Sequence, residues 1–259
     1  MPDQPSLTTE ATAARIELQA KAVEIHHRLC AEYGCPITYF HVLDPLSELV
    51  SALLSHRTRN HDSGLAFRAL RARFAEWEDV RDAPLEHVQE AITACTWPEQ
   101  KAPRIQAVLR ELSARIGGKL DLEFLREWPV EKTRAWLETI SGVGPKTSAA
   151  VLAFSNLRGK ALPVDSHHHR VAVRVGLVPA KMSVGPAHDI LEAQLPAEWD
   201  AQQVYDNHQV IMRHGKKVCT WRNPQCRQCV LLDICPHGLK HVAGVEEPQL
   251  RGEIAFAEP

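Results

Sequence analysis

The chain lacks any long apolar run, so no transmembrane helix is expected. Its first residues, Met1 to Glu10, carry acids and no apolar core, which argues against a signal peptide. Together these absences point to a reducing, intracellular setting. Net charge is also nearly absent: 30 basic residues stand against 32 acidic ones. Taken alone, that balance argues against a nucleic-acid partner. Neither strand-like alternation nor an internal repeat is present, which excludes β and solenoid architectures. What remains is a 259-residue chain of ordinary apolar content, long enough for a real core and one or two domains.

The cysteines are unevenly placed. Cys219, Cys226, Cys229 and Cys235 follow a C-x6-C-x2-C-x5-C spacing, and Pro236 comes next. Two C-x2-C pairs separated by a long spacer would suggest zinc. A compact run ending in C-P instead favours a cubane iron–sulfur cluster. A zinc knuckle or a pair of disulfides could also use four cysteines, and disulfides need an oxidising compartment. Cys30, Cys35 and Cys95 fit no ligand spacing and read as small core or surface residues.

Charge is also unevenly placed. Between His208 and Lys240 lie Arg213, Lys216, Lys217, Arg222, Arg227 and Lys240, against one acid, Asp233. A local field of this kind attracts a polyanion even when the total charge is near zero. It also offsets the negative charge of a thiolate cluster.

Helical periodicity dominates. An early helix covers roughly Ala13 to Glu32. Asp44-Pro45 reads as an N-cap and first helical position ahead of Leu46, Leu49, Val50, Leu53 and Leu54. Further apolar stripes are Leu65, Ala69 and Leu70; Leu85, Val88, Ala91 and Ile92; and Ile105, Val108, Leu109 and Leu112, the last stopped by Gly117-Gly118. Pro129 and Pro145 open helices burying Trp136, Leu137 and Ile140, and Val151, Leu152 and Phe154. Later helices end at Gly176, run near Pro186 to Leu195, and run from Asp200 towards Gly215. The expected fold is all-α with a metal-tied loop near its end.

One connector stands out within Leu137–Ala149, LETISGVGPKTSA. A helix ends, the turn Gly142-Val143-Gly144 follows, and a helix starts at Pro145. Amides in such a turn can point outward as an anion nest, and the new helix adds the positive end of its dipole. A DNA phosphate fits there, which positions the duplex without reading sequence. A plain connector would look the same without its neighbours. Lys146, in the first turn, is disfavoured as an ammonium by the dipole, which suits an amine nucleophile. A surface lysine that binds phosphate would fit the same position. Asp165, in Pro163-Val164-Asp165-Ser166-His167, fits an N-cap. It also fits a carboxylate facing positive charge that develops on a sugar. The run His167-His168-His169 is internal, so it is no expression tag. Consecutive helical residues face different ways, which disfavours a metal site there.

These three segments together resemble endonuclease III, a family of helix-hairpin-helix DNA glycosylases, over roughly Ile37 to Pro236. The resemblance implies two helical domains with DNA held between them. A six-helix barrel bearing the hairpin would occupy 37–158. A cluster domain would join 11–36 to 159–240, and 1–10 and 241–259 would be flexible ends. It implies Lys146 as the Schiff-base nucleophile, Asp165 as the essential aspartate, and Cys219, Cys226, Cys229 and Cys235 as ligands of a [4Fe-4S] cluster. Gly142, Val143, Gly144, His167, Lys216 and Arg222 would contact DNA. The implied activity is removal of oxidised pyrimidines from duplex DNA, followed by β-elimination at the abasic site. The implied enzyme is monomeric, cytoplasmic, nucleoid-associated and bacterial.

The chain departs from the family at Ser55-His56-Arg57-Thr58, where Arg57 replaces a usual glutamine, and at Trp97, near an aliphatic wedge position. Arginine is longer and cationic, so Arg57 could wedge into the duplex or hold a phosphate; Trp97 could stack on a base, or be a loop residue packed on the barrel, and both are candidate DNA contacts. An adenine-mismatch glycosylase shares the hairpin, aspartate and cluster but usually lacks the lysine. The same scaffold could also serve a non-catalytic binder of damaged DNA. The cysteine run alone would suit an electron carrier, which needs neither the hairpin nor the lysine.

Overall fold

The structure is a computed structural model and describes residues 7–245; 1–6 and 246–259, parts of the expected flexible ends, lie outside the described residues. The rest of those ends is largely helical, as Leu7–Glu10 belong to the first helix and His241 and Val242 to the last. Among the described residues the fold is all-α, and its one β feature is an isolated bridge between Leu43 and Ser155.

Among the described residues twelve α-helices follow in chain order: α1 (Leu7–Tyr33), α2 (Pro45–Ser55), α3 (Asn60–Arg73), α4 (Trp77–Asp82), α5 (Leu85–Ala91), α6 (Pro98–Ile116), α7 (Val130–Glu138), α8 (Pro145–Phe154), α9 (Ser166–Val175), α10 (Val184–Glu192), α11 (Ala201–Lys217) and α12 (Pro236–Val242). They form two compact units. One comprises 38–163 with 200–205; the other comprises 7–37, 164–199 and 206–245. Residues 159–163 and 200–205 thus group with 38–158, and Ile37 with the other unit, whereas the resemblance implies 37–158 for the barrel and 159–240 for the cluster domain.

The barrel unit closes over one apolar core. Leu46, Leu49, Val50, Leu53 and Leu54 of α2 pack with Ile105, Val108, Leu109 and Leu112 of α6 and with Leu137, Ile140 and Val151. The α2 start is capped as expected, with Asp44 Oδ1 accepting from the Ser47 amide at 2.9 Å. Two expected stripes are rotated. In α3 the buried positions are Ser63, Ala66 and Leu70, while Leu65 is exposed; in α5 Leu85 is exposed and Val88 is buried. Ala69 and Ala91 also lie outside the sealed core, as do Trp136 and Phe154, which are only partly buried. Each helix offers two overlapping i, i+3, i+4 faces, and tertiary packing selects one. The short helix α4, closed by a reciprocal Glu76–Asp79 capping box, has too few apolar residues to register as periodicity.

The other unit carries the cysteine-rich segment. Gly34, with φ +80°, reverses the chain at the end of α1, and its amide donates to the Cys30 carbonyl at 2.8 Å. That reversal brings the Cys30 and Cys35 Cα atoms to 5.2 Å, and the two are joined in a disulfide. The two are expected as small core or surface residues; the bridge between them arises because a five-residue spacing closes when the helix end turns back on itself. Cys95 is free and buried, as expected of a core residue. No helix among the described residues is long and apolar enough to cross a membrane.

Candidate nucleic-acid and catalytic site

The hairpin is built by α7, the turn 139–144 and α8. Ser148 Oγ donates to Glu138 Oε1 at 2.6 Å and ties the two helices together. Gly142 has φ +89°, a conformation that disfavours any side chain. A Cβ there would also stand 2.6 Å from Arg104 Nε and displace that guanidinium from the turn. Val143 differs from expectation. Its side chain is buried in the barrel core and its amide donates to the Ile140 carbonyl at 3.0 Å, so this amide is spent inside the turn. Gly144, in contrast, has open space beside its Cα and caps α8.

Lys146 lies half-buried in the first turn of α8, and its Nζ donates to Ser55 Oγ, on α2, at 3.3 Å. The neighbouring His56 Nε2 lies 3.1 Å from Thr147 Oγ1. Burial, together with Lys146, Arg104 and Lys101, pushes the His56 imidazole down to about 4, so it is neutral near pH 7. Glu48 is buried on α2 and meets His41 Nε2 at 2.5 Å. Burial raises its carboxyl above the ordinary range, against the pull of His41, Lys146 and Arg158.

Arg57 and Trp97 are brought together. Both are exposed and both are non-glycine residues in the left-handed region, with φ +50° and +54°. The Arg57 guanidinium lies 5.9 Å from the Trp97 ring centroid. The strain is held by the stems of the two loops. Thr96 Oγ1 donates to the Arg57 carbonyl at 2.6 Å and lies 2.7 Å from Thr58 Oγ1. Lys101 Nζ donates to the Leu54 carbonyl at 2.7 Å and to Thr58 Oγ1 at 2.5 Å. Two neighbouring strained residues are thus presented to solvent.

Asp165 stands in the other unit, as the N-cap of α9, and its Oδ1 accepts from the His168 amide at 2.7 Å. Burial alone would raise this carboxyl. His208, the His168 amide, His167 and His168 hold it below the usual carboxylate range instead. His167 is partly exposed, 3.2 Å from Arg170, and its backbone passes so close to Gly215 that a Cβ there would meet the His167 carbonyl at 3.1 Å. Lys216 and Arg222 are exposed in the basic stretch.

The four cysteines of the C-terminal run are free thiols that line one cavity with His214, Leu231 and Leu232. Burial raises the Cys229 thiol to about 11, and Cys235, Cys219 and Cys226 add to the rise. Ligation to a cationic centre relieves such crowding, because a coordinating thiol is deprotonated. Donors already face the sulfurs: the Leu231 amide to Cys229 Sγ at 3.4 Å, the Gly238 amide to Cys235 Sγ at 3.3 Å, and Arg174 Nη1 to Cys219 Sγ at 3.3 Å. Hydrogen bonds of this kind support cluster thiolates. Among the described residues no three or more His, Cys, Asp or Glu side chains gather as a single metal ion would need.

Sequence reasoning missed Arg104, Arg170 and Arg174. Arg170 Nε and Arg174 Nη1 reach the Cys219 carbonyl at 2.9 and 3.4 Å, so α9 grips the start of the cysteine run. Their spacing, one turn apart on α9, was the available signal.

A profile of the HhH-GPD superfamily of base excision DNA repair proteins matches residues 50–198. A putative DNA glycosylase from Arabidopsis thaliana is 34% identical over 175 residues, covering 68% of this chain and 57% of that protein. The Arabidopsis DNA glycosylase/AP lyase ROS1 is 30% identical across 62% of this chain but only 12% of its own length. Endonuclease III of Sulfolobus acidocaldarius is 26% identical, covering 75% of this chain and 82% of that one. The chain thus spans little more than half of the first plant relative and a small part of ROS1. Among solved structures, a non-covalent endonuclease III–DNA complex superposes with a TM-score of 0.73 at 22% identity, covering 87% of this chain and 98% of that one. The chain belongs to the HhH-GPD superfamily of base excision DNA repair proteins and has the endonuclease III type of helix-hairpin-helix architecture.

Proposed function

We propose that the protein is a bifunctional DNA glycosylase and abasic-site lyase acting on oxidised pyrimidines in duplex DNA. The observation that carries this reading is Lys146: a primary amine in the first turn of α8, beside the Gly142–Gly144 turn, held by Ser55. The duplex backbone rests on that turn, and the damaged nucleotide leaves the stack. Arg57 and Trp97 fill the gap it leaves. The Lys146 lone pair forms a bond to C1′ as the glycosidic bond breaks, and the base departs with the bonding pair and takes up a proton. Asp165, ionised in its histidine surroundings, offsets positive charge on the sugar. The sugar ring opens to give an iminium. Loss of a C2′ proton then expels the 3′ phosphate.

Cys219, Cys226, Cys229 and Cys235 would hold a [4Fe-4S] cluster. When bound, the cluster crosslinks the C-terminal loop and so shapes the surface bearing Lys216 and Arg222. The Arg174 guanidinium and the Leu231 and Gly238 amides orient the ligand sulfurs.

The test is incision of duplexes containing thymine glycol, an abasic site or adenine opposite 8-oxoguanine, with borohydride trapping. Wild type should cut the first two and trap. Lys146→Gln should bind the abasic duplex but lose at least about 10³-fold in trapping. Equal trapping by the variant would refute the nucleophile. Cutting only at the adenine mismatch would refute the substrate class.

A further inference from the structure

One stripe of α6 grips the hairpin turn. Arg104, Glu111 and Arg115 are spaced by seven and four residues and so lie along one helical face. Arg115 Nη1 donates to Thr139 Oγ1 at 2.5 Å, and Nη2 donates to the Thr139 carbonyl at 3.0 Å. The Ser141 amide donates to Glu111 Oε2 at 3.1 Å. Arg104 Nη2 donates to the Gly142 carbonyl at 3.1 Å.

The two arginines end in different electrical states. Arg115 is paired with the Glu111 carboxylate one turn away, and its Nη donors are occupied. Arg104 is exposed, has no carboxylate partner among the described residues, and is anchored by a single N–H. The rest of its planar fork remains available, within electrostatic range of His56. A guanidinium fixed at one corner with its other donors unused suits bidentate capture of a phosphate oxyanion.

We propose that Arg104 is a DNA-binding residue. It is fixed by the Gly142 carbonyl and clamps one backbone phosphate of the duplex at the hairpin. This assignment rests on the reading of the chain as a DNA repair enzyme. It also gives Gly142 a second task in this chain, which is to let that guanidinium lie across the turn.

Binding of an abasic-analogue duplex should be measured against salt concentration for wild type, Arg104→Gln and Arg104→Lys, with thermal melting of each as a fold control. Each lost phosphate contact reduces the slope of log K against log salt by about 0.9. Arg104→Gln should lose about that much and bind several-fold more weakly at low salt, whatever the flanking sequence. Arg104→Lys, which keeps the charge, should retain the slope. If Arg104→Gln melts like wild type with an unchanged slope, Arg104 is only a prop for the turn and the proposal is overturned. A wild-type protein that neither binds nor traps abasic duplexes would instead sink the repair-enzyme reading.

Discussion

The two units share apolar burial but differ in the buried histidines that only one of them holds. The barrel unit rests on a continuous apolar core in which Leu49, Leu54, Ile105, Leu109 and Leu137 are fully buried. The other unit also buries apolar side chains, among them Ile25, Leu29, Val171 and Ile211, but adds a set of histidines. His26, His168, His188, His208 and His214 all lie there, along with Arg170, Asp206 and Asn207. Apolar burial is indifferent to pH, whereas a buried imidazole is not. The contrast also separates the roles proposed for them. Lys146 needs a rigid seat, which α2 and α8 provide by close packing. Asp165 needs a carboxylate that stays ionised, which its histidine neighbours and the α9 amide provide. Buried polar side chains near a functional carboxylate cost stability and supply electrostatics in return.

The largest expected effect that would break this comparison is on acid stability. Burial, with smaller contributions from neighbouring charges, pushes His26 down to about 4 and His168 to about 3, from 6.5. The unfolded chain takes up these protons first as pH falls. Their neutral packing is therefore fully effective above about 6.5, and stability is lost progressively down to about 4 and 3. The two together amount to roughly 8 kcal/mol. Hydrogen exchange between pH 7 and 4 should show protection lost earlier in α9 and α11 than in α2 and α6. Earlier loss in α2 and α6 would invert the contrast.

Next in size is truncation of the barrel core. Leu109→Ala should cost about 2–5 kcal/mol, equally at pH 7 and pH 5, because no titrating group is involved. A cost that changed strongly with pH would show that the barrel shares the histidine dependence. The smallest effect sharpens the boundary of α2. Asp44→Ala removes the acceptor for the Ser47 amide and should cost about 1 kcal/mol, read as a shift in the denaturant midpoint with unchanged slope.

Much of this was legible in the residues. Asp44-Pro45 announced a helix start, and Gly117 and Gly176 announced helix ends, because capping and positive φ are local demands. The cysteine run and the Gly142–Gly144 turn were legible for a similar reason, as ligand spacing and tight turns are written in short sequence. The orientations of α3 and α5 were not. Leu65 and Leu85 belong to plausible apolar stripes, yet both are exposed, since the face that is buried depends on what packs against it. The Cys30–Cys35 bridge and the Arg104–Gly142 contact were likewise hidden. One depends on how a helix end reverses, and the other joins residues 38 positions apart.

The sequence by itself determined an all-helical chain with a hairpin, a lysine at a helix start, an aspartate cap and four thiols of cluster spacing. Each of these follows from interactions between residues within a few positions of one another. Only the tertiary structure decided that Arg104 lies on the hairpin turn, which loop tips are strained side by side and which histidines are dry. Those properties depend on neighbours remote in the chain, and so on packing and local dielectric.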